Sequence, residues 1–199
     1  MKIREIKTHV LSKPLEKPFA FSMGWVHQRS AMVVELITDE GVTGWGESLC
    51  HGLQPPQIAA SIVQHALKPL LIGQDPFDVD VLWERMYNQT RAYGQKGAVP
   101  NAISAVDIAI WDCMGRSTGK PIHKLLGGAY RTQVQPYATG FYRYRQGTDT
   151  EDAVSEARRH VAAGFKAMKL KIGFGLEEDI AYVHRVREAI GAGYPLMVD

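Results

Sequence analysis

The stretch Ala167-Met168-Lys169-Leu170-Lys171-Ile172-Gly173 decides the reading of this chain, together with Pro195-Leu196-Met197-Val198-Asp199. Each is a short apolar run carrying charge. Side chains of a strand point alternately to two faces, so Lys169 and Lys171 share one face while Met168, Leu170 and Ile172 share the other. In the second run Met197 and Asp199 face one way, Leu196 and Val198 the other. A strand covered on both faces reads as a continuous apolar run. Two ammonium groups on one inner face, with a carboxylate on the next strand, break that pattern, and the break points to chemistry.

Working outward, residues 134–139 form a further apolar run, followed by a loop with Tyr142, Arg143, Tyr144 and Arg145. The spacing predicts a helix over 149–163, with Thr148 and Glu151 at capping-box spacing and Ala153, Val154, Ala157 and Val161 inward. Gly164 ends it. A second helix is predicted over 177–190, with Ile180, Val183, Val186 and Ile190 inward and Gly191 and Gly193 stopping it. Strand–helix–strand–helix–strand at this spacing implies parallel strands joined by helical crossovers. Ligands of such sheets bind at the C-terminal strand ends, where Lys169, Lys171 and Asp199 lie.

The first part of the chain has a different grammar. Residues 3–11 read as a strand, and 12–30 as a long link holding Pro14, Pro18 and Gly24 with Phe19, Phe21, Met23, Trp25 and His27. Long links without regular structure are usually functional or disordered, and this one is too aromatic for disorder. It is either a loop folded back over its own core or a lid over a ligand site. Residues 31–38 and 42–48 read as an antiparallel hairpin turning at Asp39-Glu40-Gly41. Glycines 44 and 46 beside Trp45 mark a bulge or the close approach of another backbone. A second loop, 49–54, carries Cys50 and His51; His51 lacks the partners a zinc site needs.

Three helices follow. Pro55-Pro56 opens the first, with Ile58, Ile62, Val63, Ala66, Leu67 and Leu70 at helical spacing. Asp75-Pro76 opens the second, with Val79, Leu82, Trp83 and Met86 inward. The third, over 100–115, is rich in small apolar residues and reads as tightly packed. Gly115-Arg116-Ser117-Thr118-Gly119-Lys120-Pro121 falls one residue short of a phosphate loop and ends in proline, so it reads as a helix C-terminus. The α+β part gives way to the α/β part within 127–133.

Composition narrows the function classes. The 199 residues are 45% hydrophobic and 22% charged, with 23 basic and 21 acidic side chains and a net charge of +2, which argues for no nucleic-acid or membrane partner. Two cysteines without CxxC spacing suit free thiols in a reducing compartment. The N-terminus has no apolar signal region, and no run of about 18 apolar residues spans a bilayer. A cytoplasmic, soluble protein is the expectation.

The lysines and the aspartate have a joint chemical logic. A lysine beside a second cation and partly desolvated has its pKa lowered toward neutrality, and a carboxylate can hold a divalent metal. Base plus metal suits removal of a proton α to a carboxylate, with the enediolate that forms stabilised by Mg²⁺. One carboxylate does not complete an octahedral shell, so further ligands are expected beyond residue 199. A structural Lys–Asp ion pair is the plainer alternative.

Gly44-Trp45-Gly46-Glu47-Ser48, the segment from Ala105 to Asp112, Gly115-Arg116, the segment from Pro121 to Gly127, the Lys-x-Lys strand and the closing Asp199 together resemble the N-terminal half of an enolase-superfamily enzyme of the mandelate racemase/muconate lactonizing family. Cys113 stands where that pattern more often has alanine or an aliphatic residue. The resemblance implies an α+β capping domain over 1–130 and the first three strands and two helices of a TIM-like (β7α-type) barrel over 131–199. It implies Lys171 as general base, Lys169 lowering the pKa of Lys171 and contacting the substrate carboxylate, and Asp199 as the first of three metal-ligating carboxylates. The loops at 19–27 and 49–54, with Phe19, Phe21, Met23, Trp25, His27 and His51, would close over the site and set substrate choice. The implied substrate is a small carboxylate, an acid sugar, with dehydration ahead of racemization or cycloisomerization; a non-catalytic capping module is the alternative of a different class. Members of that family commonly assemble as dimers or octamers, so the resemblance implies a homo-oligomer. A complete barrel needs eight strand–helix units, so the expectation is a chain truncated within the barrel and inactive alone.

Overall fold

The computed structural model describes residues 1–50, 52–144 and 150–199. The chain packs as two compact units, one of Met1–Pro14 with Gln28–Tyr130, the other of Leu15–His27 with Arg131–Asp199.

The first unit is built on a sheet of order β1-β2-β3, from β1 (Ile3–Phe21), β2 (Gly24–Thr38) and β3 (Thr43–Ser48), of which the stretch Leu15–His27 at the far ends of β1 and β2 belongs to the second unit. Strand β2 pairs antiparallel with β3, Val34 opposite Gly46 and Leu36 opposite Gly44. Alternation does the sorting: Met32, Val34 and Leu36 are buried, while Val33, Glu35 and Ile37 on the other face stay partly exposed. The glycines of β3 answer the question their spacing raised. A Cβ on Gly44 would stand 2.0 Å from the Ala109 carbonyl oxygen, and one on Gly46 2.0 Å from that of Ala105. Helix α4 (Ala98–Thr118) therefore lies directly on the strand backbone, through a face of small residues, Ala102, Ala105 and Ala109, one helical turn apart. Cys113 belongs to that face; it is fully buried, and burial pushes its thiol up to about 11. It acts as a small apolar side chain, which accounts for its place in the motif. Both cysteines are free and buried.

The run from Pro56 to Leu71 is predicted as one helix and is interrupted. Helix α1 (Pro56–Ile62) passes through a π-helical turn, Val63–Leu67, into α2 (Lys68–Leu71). Pro69 inside this run supplies no N–H and crowds the carbonyl a turn earlier, a recognised cause of such widening. Val63, Leu67 and Leu71 are buried, whereas Ile58 is 46% exposed. Helix α3 (Val79–Thr90) buries Val79, Leu82 and Met86, but Trp83 faces outward, stacked on Tyr87 at 5.2 Å. Helix α4 ends at Gly119, whose φ of 65° gives the left-handed stop, and α5 (Ile122–Leu125) follows.

The sequence predicts a link without regular structure over 12–30; the structure instead continues β1 and β2 into a long β-hairpin that turns at Ser22-Met23. Prolines 14 and 18 argue against a central strand, but β1 is the edge of its sheet, where a missing N–H need not face a partner.

The second unit has a parallel sheet of order β4-β5-β6, from β4 (Ala138–Thr139), β5 (Met168–Leu170) and β6 (Leu196–Val198). Helices α6 (Thr150–Ala162) and α7 (Leu176–Ile190) are the crossovers. Ala138 pairs with Met168 and Met168 with Leu196. Met168 and Leu170 are buried with Ala153, Ala157 and Val186 of the two helices. Strand β4 is shorter than the apolar run predicts: Val134 is 82% exposed, and Pro136 lacks the N–H a ladder needs. Val161 and Ile180, expected inward, are 41% and 51% exposed. Thr148 of the expected capping box lies outside the described residues. Among the described residues no helix is long and apolar enough to cross a membrane.

Candidate active site

The site is a consequence of strand alternation. Because Met168 and Leu170 commit one face of β5 to the helices, Lys169 and Lys171 must project from the other. The parallel ladder fixes how far the next strand reaches: Asp199 donates its N–H to Leu170 O at 3.0 Å, and Ile172 donates to Asp199 O at 3.0 Å. Asp199 is thereby set beside Lys171, on the lysine face.

The three charged groups converge on one atom. Lys169 Nζ lies 2.9 Å and Lys171 Nζ 2.6 Å from Asp199 Oδ2. The lysine side chains are 23% and 20% exposed, the carboxylate 47%. Hydrogen bonding from Lys171, and then from Lys169, holds the Asp199 carboxyl down at about 2. The bond to Asp199 raises the pKa of Lys169 above the ordinary lysine value. Two bare ammonium groups side by side would lower each other; here the shared carboxylate outweighs that repulsion for Lys169. The Lys169 ammonium also stands 5.6 Å from the centroid of the Tyr137 ring, a cation–π distance.

Asp199 offers hard oxygen donors of the kind magnesium prefers. Among the described residues no group of three or more His, Cys, Asp or Glu side chains could hold a metal. Such a donor is compatible with Mg²⁺, but one carboxylate alone does not complete an octahedral shell.

The aromatic residues of the hairpin separate into different environments. Phe19 is buried, its ring 4.4 Å from that of Tyr142; Phe21 is half-buried. Met23 at the turn is 70% exposed, Trp25 is 37% exposed, and His27 is exposed. Phe19 is thus a packing residue of its unit. His51 lies outside the described residues. Sequence reasoning missed Tyr137 and Asp179. Asp179 accepts the N–H of Gly173 at 2.9 Å and of Phe174 at 3.3 Å, fixing the turn after β5. An acidic residue in the first turn of a helix, preceded by Gly-Phe-Gly, was the available signal.

The model of the mandelate racemase/muconate lactonizing enzyme N-terminal domain matches residues 4–127, and that of the enolase C-terminal domain-like fold matches residues 152–199. D-galactarolactone cycloisomerase of Agrobacterium fabrum is 42% identical over 199 residues, all of this chain and 51% of that protein. Arabinonate dehydratase of Saccharolobus solfataricus is 38% identical over 174 residues, 87% of this chain and 46% of that protein. The crystal structure of a racemase from Streptomyces coelicolor A3(2) with bound magnesium superposes with a TM-score of 0.87 at 33% identity, over 99% of this chain and 54% of that one. The chain spans about half the length of the curated relatives it matches. A glycine-lined strand under a small-residue helix and paired lysines facing an aspartate across parallel strands come together in one sequence: the chain belongs to the mandelate racemase/muconate lactonizing enzyme family of the enolase superfamily.

Proposed function

We propose that this chain contributes the base and one metal ligand to an enzyme that removes the proton α to the carboxylate of an acid sugar. The observation that carries this reading is the convergence of Lys169, Lys171 and Asp199 at adjacent C-terminal strand ends. Lys171, as the free amine, takes the α-proton onto Nζ; the electron pair left on carbon passes into the carboxylate, giving an enediolate. Lys169 stays protonated and faces a carboxylate oxygen of the substrate as a positive donor. Asp199 would hold magnesium, which when bound supplies positive charge beside the substrate carboxylate. The remaining ligands would come from groups outside residues 1–199.

Dehydration is the leading outcome: as the enediolate collapses the C–O bond to the β-hydroxyl breaks, and the oxygen takes a proton and leaves as water. The enol that remains tautomerises to the 2-keto acid. Cycloisomerization is the second reading, favoured by the 42% identity to a protein named D-galactarolactone cycloisomerase. Both begin with the same proton transfer. Proton NMR of the full-length protein in D2O with Mg²⁺ and a panel of aldonic and aldaric acids and their lactones tests the shared step. Loss or exchange of the α-proton is expected in the wild type and is absent in Lys171→Ala. Exchange that survives in Lys171→Ala would remove the lysine from the role of base. A keto-acid product identifies the dehydratase, and a rearranged ring or lactone the cycloisomerase.

A further inference from the structure

Three segments far apart in sequence meet through one residue. Ala20 near the hairpin tip and Arg143 after β4 exchange both backbone hydrogen bonds, at 2.7 and 3.0 Å. Beside them the Phe19 and Tyr142 rings pack at 4.4 Å. The chain reaches this position through Phe141, a buried residue at a φ of 59°. A side chain with a Cβ adopts that conformation only where its surroundings hold it. Here the Phe141 N–H donates to Glu156 Oε1 of α6 at 3.0 Å, and the Tyr182 hydroxyl of α7 donates to the Phe141 carbonyl at 3.4 Å. The kink, held from both crossover helices, turns Tyr142 and Arg143 toward the hairpin.

The Arg143 side chain then runs to the turn that follows β5. Its guanidinium stands 3.6 Å from the centroid of the Phe174 ring and pairs with Glu178. Only 18% of the side chain is exposed, so water screens these contacts weakly. Phe174 belongs to the turn fixed by Asp179, three residues after Lys171. The same turn approaches the hairpin directly: a Cβ on Gly173 would stand 3.0 Å from the Ser22 Cβ, and Gly173 has a φ of 96°. The backbone of Arg143 thus grips the hairpin tip while its side chain grips the end of the Lys171 strand.

We propose that Arg143 is a positioning residue coupling the hairpin tip to the turn after β5, so that Lys171 is held in place only when the tip is docked. The consequence for turnover rests on Lys171 being the base; the coupling does not.

Hydrogen exchange read by mass spectrometry on the full-length protein tests the coupling, using Arg143→Ala, Arg143→Lys and Phe174→Leu. Phe174 is no part of the hairpin, so its replacement reports transmission through Arg143. In Phe174→Leu and Arg143→Ala the amides of 15–27 and 168–174 are expected to exchange together about tenfold faster, with 182–190 unchanged. Arg143→Lys keeps a charge for Glu178 and loses the planar stack, so it falls between. Wild-type exchange at 15–27 in Phe174→Leu, or uniform acceleration along the whole chain, overturns the coupling. Arg143→Ala is also expected to lower kcat more than it changes KM, on whichever acid of the panel the wild type turns over. Coupled exchange with kcat unaltered overturns the positioning role. If the wild type turns over none of the panel, it is the assignment of Lys171 that fails, and the exchange rates still decide the coupling.

Discussion

The seam between β3 and α4 and the strand ends at Lys171 and Asp199 carry the two most distinctive motifs of the sequence, and they treat side chains in opposite ways. At the seam, side chains are deleted: Gly44 and Gly46 leave room for the carbonyls of Ala109 and Ala105, and no atom can be added between them. At the strand ends, side chains are extended and charged, between a fifth and half exposed, with one carboxylate oxygen serving two ammonium groups. The seam therefore has one arrangement. The strand-end cluster has a carboxylate that is 47% exposed and so open to partners beyond the two lysines. A change at the seam should cost stability and leave the chemistry of each folded molecule intact, and a change at the strand ends should do the reverse.

The largest effect expected is on turnover. In the full-length protein, Lys171→Ala should lower activity by about 10³-fold, while the unfolding free energy from urea titration stays within about 0.5 kcal/mol of wild type. Loss of folding with the activity would erase the distinction between the two regions. Next in size, Gly46→Ala and Gly44→Ala should each destabilise by about 3 kcal/mol or more, because a methyl group would collide with helix backbone that cannot rotate away. Gly193 is the control: a Cβ there meets nothing within 4 Å, so Gly193→Ala should stay near wild type in thermal or urea unfolding. A mild Gly46→Ala would show that α4 can lift off the strand. Smaller again is Asp112→Ala. Asp112 Oδ2 accepts the Trp45 N–H at 2.9 Å and the Arg116 Nε–H at 2.8 Å, tying strand to helix at the partly open edge of the seam. A loss of about 1 kcal/mol in unfolding free energy, read from urea titration, is expected.

The same contrast explains what could be read in advance. Gly44, Gly46 and the alanines of α4 announce close packing because backbone contact leaves few other residue types possible. Lys169, Lys171 and Asp199 stand out as a candidate site because charge on an otherwise apolar strand needs a reason. The hairpin over 12–30 was illegible for a physical cause: Pro14 and Pro18 are strand breakers everywhere except at an edge, and local sequence does not reveal which strand is the edge. The widened turn before Pro69 has a local cause, the proline itself, whereas the outward turn of Trp83 depends on which face of α3 the rest of the unit covers. Arg143 was visible in the loop after β4, but its partners Ala20 and Phe174 lie far from it in the chain.

The smallest effect isolates the charge of the strand-end cluster from its packing. Asp199 titrates at about 2 in the folded chain, below the ordinary value of 3.8. A folded carboxyl with a lowered pKa stabilises the fold fully above the ordinary value, and that contribution is lost as the pH falls through the folded value. Wild type and Asp199→Asn should therefore differ by a constant amount from about pH 7 to pH 5, and the difference should shrink between about pH 4 and pH 2. It shrinks because protonated aspartic acid and asparagine are near-isosteres, and both leave the two lysines facing a neutral group. The amount is small, since the carboxylate is 47% exposed and water screens it. Urea midpoints of the two proteins, taken at intervals down to about pH 3, give the curve. Gly46→Ala, measured alongside, should show a deficit that does not change with pH, because no group at that contact titrates. If the Asp199→Asn difference were also flat down to about pH 3, the carboxylate would not be paired with the lysines in solution, and the strand ends would be as inert as the seam.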